Sequence, residues 1–315
     1  MLQRMRSGLD TYLSSRILRR AQRCPRPLAI VYGNCQAHPI RRILASSAAF
    51  TDRYQLVEVP PVHLLSRRQA LLVRDLMPHV GLFLTQEVRD NYRGLPLGSR
   101  QMISLMSGLG KVLKFPVAYY EGLHPFLVYI NMGGELSEPA PLTGYHDLRI
   151  LAAARQGMTV ERALTMLHGH TTFEEPLQEL AKASVAALAE REATLDISIA
   201  DRIEHCGLSF FTVNHPCTAL LAEVAKQAVH ALDLPSAVTT PTVEPLASTA
   251  APVPADVLRA LRISAPPIDE WTIDWRITSL RTIVQAHLDW YGSRPDVMET
   301  GFQRHADRME AFGLI

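Results

Sequence analysis

The stretch Pro27-Leu-Ala-Ile-Val-Tyr-Gly-Asn-Cys-Gln-Ala-His38 decides the fold of this 315-residue chain. It begins with a short run of apolar, β-favouring residues that ends at Gly33, and a helix-like stretch follows to Phe50. This change of hydrophobic period, with a glycine at the junction, predicts a strand, a tight turn and a helix. These are the opening elements of an α/β fold.

The same alternation continues over the first 120 residues. Strands are predicted at 54–59, at 80–85 and within 111–120, and helices are predicted at 63–77 and 98–109. Strands that alternate with helices predict a parallel sheet covered on both faces and joined by right-handed crossovers. The predicted fold class is therefore α/β, with a parallel sheet flanked by helices.

The remaining sequence adds helices to this sheet. Ala-rich and Leu-rich segments predict a large helical insertion at about 145–206, and the run Leu208–Val213 then predicts a further strand of the α/β pattern. A proline-rich connector and a helical C-terminal region complete the chain. We expect an α/β catalytic domain over 25–235, an N-terminal basic helical extension over 1–24, and C-terminal helices packed on the domain within 236–315.

Composition excludes several classes of protein. Apolar residues make up 47% of the chain and charged residues 20%, which excludes extensive disorder. A formal net charge of +1 argues against a dedicated nucleic-acid binder. The four cysteines form no C-x-x-C pair, so neither a disulfide framework nor a zinc site is predicted, and we expect no metal.

The N-terminal residues 1–24 carry six arginines and one acidic residue, with leucines near helical spacing. Two interpretations stay open: an amphipathic helix on an anionic membrane surface, or a solvated helix. This segment lacks the long apolar core of a secretory signal, and no apolar run is long enough to span a bilayer. We therefore expect a cytoplasmic protein, with peripheral contact at the inner face of the membrane as one option.

Cys35 lies where α/β proteins bind ligands, directly after a parallel strand and at the turn into a helix. The following helix N-terminus is expected to lower the pKa of its thiol and to favour the reactive thiolate. Asn34 and Gln36 supply amides beside the sulfur. The alternative is a buried cysteine that acts as a small hydrophobe, but the polar neighbours favour a nucleophile.

A thiol nucleophile needs a base, and His215 is the strongest candidate because it also follows a strand-like run. It is therefore expected at the same sheet edge as Cys35, although a histidine that caps a helix is an equal alternative. Gln86 ends the third predicted strand and, with Asn34 and backbone N–H groups, is a candidate oxyanion donor. His146 is a further candidate base or orienting residue.

Five segments together resemble the WcbI family of capsular polysaccharide biosynthesis enzymes over about residues 27–235: VYGNCQ, FLTQEVRDNYRGLPLGS, KFPVAYYEGLHP, PLTGYHD and FFTVNHP. The resemblance implies a coenzyme A-binding protein that acetylates a sugar hydroxyl. A more distant likeness to SGNH hydrolases, with a flavodoxin-like sheet, implies that Cys35 replaces the serine nucleophile and that His215 matches the histidine. Thr212 stands where the aspartate is expected.

The leading hypothesis is a CoA-dependent O-acetyltransferase that acts on a nucleotide-sugar, lipid-linked or polymeric glycan acceptor. Acetyl-CoA is its co-substrate, and Arg93, Lys114 and Arg41 are candidate partners of the CoA phosphates. Cys35 either carries the acetyl group or only lines the site. An esterase or thioesterase with the same Cys-His pair, and a non-catalytic CoA-binding or glycan-binding component, are the alternatives.

Overall fold

The structure is a computed structural model that describes residues 26–134, 137–169, 174–235 and 237–315. The predicted extension at 1–24 lies outside these residues. The strands are β1 Leu28–Tyr32, β2 Gln55–Val57, β3 Val80–Thr85, β4 Lys111–Lys114, β5 Leu127–Val128, β6 His146–Asp147, β7 Phe210–Thr212, β8 His215–Pro216, β9 Thr249–Ala250, β10 Trp271–Ile273 and β11 Arg276–Thr278. The α-helices are α1 Ala37–Leu44, α2 Ala48–Arg53, α3 Arg67–Leu76, α4 Ser99–Ile103, α5 Leu148–Arg155, α6 Val160–Gly169, α7 Glu174–Glu192, α8 Thr218–His230, α9 Ala255–Ala260, α10 Leu280–Ser293, α11 Pro295–Arg304 and α12 Ala306–Ala311.

The chain divides into two compact units, each built from several segments. The first contains Met1–Val117, Ala189–Asp201 and Thr218–Glu244, and the second contains Ala118–Leu188, Arg202–Cys217 and Pro245–Ile315. The predicted insertion at about 145–206 contributes residues to both units. The predicted domain limits at 25–235 and 236–315 stay a prediction.

The first unit contains the predicted parallel sheet, and its strand order is β2-β1-β3-β4. All three pairings are parallel, and the register places Tyr32 of β1 beside Thr85 of β3 and Thr85 beside Lys114 of β4. All five side chains of β1 are buried, as expected for a strand covered on both faces. The α/β prediction is confirmed.

The helices of this unit begin where the sequence supplies caps. Ser66 accepts a hydrogen bond from the backbone N–H of Gln69, and the Gln69 side chain accepts one from the backbone N–H of Ser66. This capping box satisfies two N–H groups at the start of α3. The apolar face of α3 then packs into the core below the sheet, through Ala70, Val73 and Leu76.

As far as the structure describes it, the second unit consists of helices with three small antiparallel sheets. The predicted strand at 208–213 appears as β7, but it pairs antiparallel with β8 in a separate two-stranded sheet and does not belong to the parallel sheet. The prediction that it continues the α/β pattern is therefore wrong. The physical reason is a tight chain reversal through two intervening residues, which brings His215 back to pair with Thr212 at the end of β7.

The C-terminal region is helical from Leu280 onward, as predicted, but two of its tryptophans lie in a β-hairpin. Trp271 belongs to β10, which pairs antiparallel with β11, and Trp275 lies in the turn between them. A helical prediction for this part of the region is wrong. Within the described residues, no helix combines the length and apolar character that a bilayer crossing requires.

Candidate active site

Cys35 lies at the topological switch point of the parallel sheet. With the order β2-β1-β3-β4, the switch lies between β1 and β3, and the crevice beyond their carboxyl ends is where open α/β sheets bind ligands. Cys35 follows β1 by three residues, and Gln86 follows β3 directly. The sheet therefore places these two predicted site residues at one edge.

Gln86 holds the turn that carries Cys35. Its Oε1 accepts a hydrogen bond from the Asn34 backbone N–H at 2.8 Å, and its Nε2 donates to Gln36 Oε1 at 3.1 Å and to the Pro116 carbonyl at 3.2 Å. Gln36 and Gln86 are each only 1% exposed. Both N–H bonds of the Gln86 amide are thus engaged by protein oxygens, so in this structure Gln86 positions the turn.

Gly33 is required for this close approach. A Cβ atom at position 33 would lie 2.3 Å from Gln86 Oε1 and 2.7 Å from its Cδ. Such distances are far inside van der Waals contact, so any side chain at position 33 displaces the Gln86 amide. Because Gly33 has no side chain, the Gln86 amide can lie against the turn formed by the GNCQ sequence.

Ser99 holds Gln86 through its backbone carbonyl. Its hydroxyl donates to the Gln86 carbonyl at 2.6 Å and accepts from the Val88 backbone N–H at 2.9 Å. Thr85 Oγ1 also donates to this carbonyl, at 2.7 Å. Sequence reasoning missed Ser99, because a serine at the first position of a helix reads as a capping residue. Its LGS context, directly after a polar turn, was the available signal.

The Cys35 thiol is not activated in the way predicted. Burial raises the pKa of the Cys35 thiol to about 11, and the backbone N–H groups of Cys35 and Gln36 only partly oppose this shift. The side chain reaches the surface in part, but most of its surroundings are protein. The expectation of a lowered pKa is wrong, because desolvation outweighs the helix N-terminus.

A cavity of about 430 Å³ borders the same strand ends. Its lining includes Arg89, Arg100, Lys114 and Glu87 together with Ser99, which hydrogen-bonds the Gln86 carbonyl. Lys114, a predicted CoA-binding residue, ends β4 and contacts Glu87 Oε1 at 2.9 Å. Arg100 is also paired, with Asp90 Oδ2 at 3.1 Å, so the three cations face two carboxylates and the remaining positive charge suits an anionic ligand. Arg89 and Arg100 were not among the predicted site residues.

The other predicted CoA-binding cations have partners of their own. Arg41 lies on α1, where its guanidinium is 3.4 Å from Glu58 Oε2. Arg93 is exposed and donates to the His63 carbonyl, and the neighbouring Val62 N–H donates to the Gly33 carbonyl at 2.8 Å. Both cations therefore lie in the unit that holds Cys35, near the segments that follow β1 and β2.

His215 belongs to the second unit, in strand β8. Its Nδ1 lies 3.3 Å from the Thr249 carbonyl, and burial lowers the pKa of the imidazole, which keeps it neutral at pH 7. Thr212, across the hairpin, is bound to the Tyr145 hydroxyl at 2.9 Å. The argument that placed His215 at the edge of the parallel sheet is wrong, because β7 is not part of that sheet. A role for His215 in the reaction stays a prediction.

His146 has structural contacts on both ring nitrogens. Nδ1 is 2.6 Å from the Tyr291 hydroxyl and Nε2 is 2.9 Å from the Glu138 carbonyl, and the side chain is fully buried. Burial lowers the pKa of this histidine to about 4. The neighbouring Asp147 caps α5 by accepting from the Arg149 N–H. These contacts describe a structural histidine of the second unit.

Comparison with known proteins identifies the family. A family model described as polysaccharide biosynthesis enzyme WcbI matches residues 28–237, about two thirds of the chain. The chain belongs to the WcbI family. A search of curated proteins gave no match. Within the described residues, no group of three or more His, Cys, Asp or Glu side chains converges as a metal site.

A solved structure shares the fold of this WcbI-family chain. It is described as WcbI, a novel polysaccharide biosynthesis enzyme, in its native form without a disulfide bond between CoA and one of its cysteines. The two chains superpose with a TM-score of 0.78 at 24% sequence identity, and the match covers 92% of this chain and 99% of the other. The likeness extends well beyond the residues matched by the family model.

Proposed function

We propose that this WcbI-family enzyme is a CoA-dependent O-acetyltransferase that moves an acetyl group from acetyl-CoA to a sugar hydroxyl in surface polysaccharide biosynthesis. The observation that carries the proposal is Cys35 at the switch point, joined through Gln86 and Ser99 to a cavity lined by three cations. A thiol at the sheet edge that also borders a cation-lined cavity suits a thioester that carries phosphates.

The cavity supplies the charge that CoA requires. Phosphate groups favour arginine and lysine side chains that lie together, and Arg89, Arg100 and Lys114 share one lining. The related WcbI structure is described as a native form without a disulfide bond between CoA and one of its cysteines, so CoA and a cysteine are named together for that protein. Of the cysteines Cys35, Cys206 and Cys217, only Cys35 follows a strand of the parallel sheet.

Two routes of transfer remain. In the covalent route, Cys35 attacks the thioester and CoA leaves, and the acceptor hydroxyl then attacks acetyl-Cys35. In the direct route, the sugar hydroxyl attacks acetyl-CoA while Cys35 only lines the site. His215 is proposed as the base for the sugar hydroxyl in both routes. The acceptor is a nucleotide-sugar, a lipid-linked sugar or a polymeric glycan, and a cytoplasmic location suits all three.

Product analysis separates this function from its alternatives. Full-length protein is mixed with acetyl-CoA, with and without a panel of nucleotide sugars, and both free CoA and acetylated sugar are measured. An acetyltransferase releases CoA in proportion to acetylated sugar. Continued release of CoA beyond one equivalent per protein without an acceptor indicates a thioesterase instead, and binding of CoA without turnover under both conditions indicates a non-catalytic component.

A further inference from the structure

A second ionisable cluster lies at the same edge of the parallel sheet as Cys35. Glu58 directly follows β2, and its carboxylate oxygens lie 3.6 Å from His38 Nδ1 and 3.4 Å from the Arg41 guanidinium. His38 and Arg41 lie on successive turns of α1. Because β1 and β2 are parallel neighbours, Glu58 and the Cys35 turn leave the sheet at the same end.

His38 follows Cys35 by three residues, across the turn that leads into α1. The Ala37 N–H donates to the Asn34 carbonyl at 3.1 Å, which closes a turn around Cys35 and Gln36, and Gln36 already has helical backbone angles. Residues three apart on such a turn share a face, with Cβ atoms about 5–6 Å apart. At this spacing, rotation of the two side chains can bring a thiol and an imidazole together for a proton transfer.

Glu58 fixes which ring nitrogen of His38 is the base. A carboxylate at Nδ1 favours the proton on that nitrogen and leaves Nε2 as the acceptor, as in hydrolase triads. Among the described residues, no side chain is hydrogen-bonded to Nε2. The His38 side chain is 40% exposed, so its ring is accessible from solvent.

The charges around His38 keep it available as a base. Burial, and then Arg41, lower the pKa of the imidazole, with Arg42 acting in the same direction and Glu58 opposing them. Strand β1 and helix α8 also pack against α1. Among the described residues, Arg41, Arg42 and Glu58 are the charged groups that act on this ring. His38 is therefore neutral at pH 7 and can accept a proton.

We propose that His38 is the general base that activates Cys35, and that Glu58 orients it. This inference rests on the proposed function and on its covalent route. As Cys35 Sγ bonds to the thioester carbon, its proton passes to His38 Nε2 and the carbonyl electron pair moves to oxygen. When the carbon–sulfur bond to CoA breaks, the CoA thiolate takes that proton, giving acetyl-Cys35, CoA and neutral His38.

The test is the pH profile of Cys35 alkylation in the full-length protein, which needs neither CoA nor an acceptor. Iodoacetamide is the probe, and the Cys35 peptide is quantified by mass spectrometry. A thiol that passes its proton to a neutral imidazole as it reacts gives a rate that is constant between the titrations of the two groups, whereas an isolated thiol gains about tenfold per pH unit up to its pKa. We expect a plateau across neutral pH for the wild type.

Variants of His38 and Glu58 complete the test. His38→Gln should lose the plateau and react about tenfold or more slowly at pH 7, and Glu58→Gln should keep a plateau at a lower rate. His79→Gln, an exposed histidine that precedes β3, is the matched control and should react as the wild type does. A wild-type rate without a plateau, or a wild-type profile in His38→Gln, overturns the proposal. If His38→Gln fails to fold, the Glu58→Gln variant decides: an alkylation rate equal to that of the wild type overturns the proposal.

This experiment is separate from the proposed function. If the plateau depends on His38 but the protein does not bind CoA, the proposal that His38 activates Cys35 stands and the proposed acetyltransferase function is refuted. Acetyl transfer with no plateau would retain the acetyltransferase and refute the role of His38.

Discussion

Gln86 Oε1 lies 2.8 Å from the backbone nitrogen of Asn34, so a side chain that follows β3 restrains the turn that follows β1. The opposite end of the same amide donates to Gln36 Oε1 and to the Pro116 carbonyl. One buried glutamine thus joins three loops at the carboxyl edge of the sheet, and the position of Cys35 depends on it.

Replacing Gln86 with glutamate tests this dependence. Gln86→Glu keeps an acceptor for the Asn34 N–H, but it places a carboxylate oxygen against Gln36 Oε1 and the Pro116 carbonyl in place of the amide donor. This change should lower the free energy of unfolding by about 1–3 kcal/mol or more. Urea denaturation measures the change. The matched control is Gln101→Glu, an amide with three hydrogen bonds on the exposed side of α4, which should change stability by about 0.5 kcal/mol or less. Equal stability of the two variants would contradict the account.

Gly33→Ala tests the close approach of Gln86 to the turn. The added methyl would lie 2.3 Å from Gln86 Oε1, so the amide must move, and we expect a loss of about 1–3 kcal/mol in unfolding free energy. Gly108→Ala is the control, since a Cβ there meets nothing within 4 Å. A Gly33→Ala protein as stable as the Gly108→Ala protein would show that the turn tolerates a side chain.

Much of this edge was predictable from the sequence, because each local signal agreed with the fold. Strand β1 and its glycine were marked by apolar residues and a tight turn, and β3 was predicted at its observed bounds of 80–85. Asn34, Gln36 and Gln86 were selected from these strand ends. The Gln86 network itself depends on distances between segments 50 residues apart, which no local pattern contains.

The errors have equally specific causes. The run LSFFTV is as apolar as a strand of the parallel sheet, and only its pairing with β8 shows that it belongs to a hairpin. Asp274 and Trp275 connect β10 and β11 with positive φ angles of 48° and 65°. Such a two-residue turn is usually marked by Asn-Gly or Asp-Gly, and tryptophan in place of glycine removed the signal.

CoA binding should depend on the cations of the cavity beside Gln86. Lys114→Ala should weaken CoA binding by about tenfold, since a charged hydrogen bond contributes roughly 1.5–3 kcal/mol, and affinity should fall as salt rises. Arg93→Ala tests the exposed cation beside His63 in the same way. Calorimetric titration of CoA gives both affinities, and Lys226→Ala, an exposed cation of α8, is the control. Unchanged affinity in both variants would remove these two residues from the site.

Stability should fall in mild acid because of two buried histidines in the second unit. Burial lowers the pKa of His124 and of His146 to about 4, below the ordinary value of 6.5. Between these values the unfolded chain binds protons that the folded chain does not, so stability is complete above pH 6.5 and is lost as the pH falls toward 4. Urea denaturation at about pH 7 and about pH 4.5 should differ by a few kcal/mol. His79→Gln should leave that difference unchanged, and equal stability at the two pH values would contradict the burial of both imidazoles.

The central claim, that Cys35 receives an acyl group from CoA, is tested most directly by mass spectrometry of the protein after mixing with acetyl-CoA and no acceptor. The account predicts one acetyl group on the peptide that contains Cys35. The Cys35→Ala protein should stay folded without acetylation, because a partly buried small side chain contributes little packing. Substitution of Cys206 or Cys217 should leave the labelling unchanged. A wild-type protein that binds acetyl-CoA but carries no acetyl group on Cys35 would contradict the covalent route.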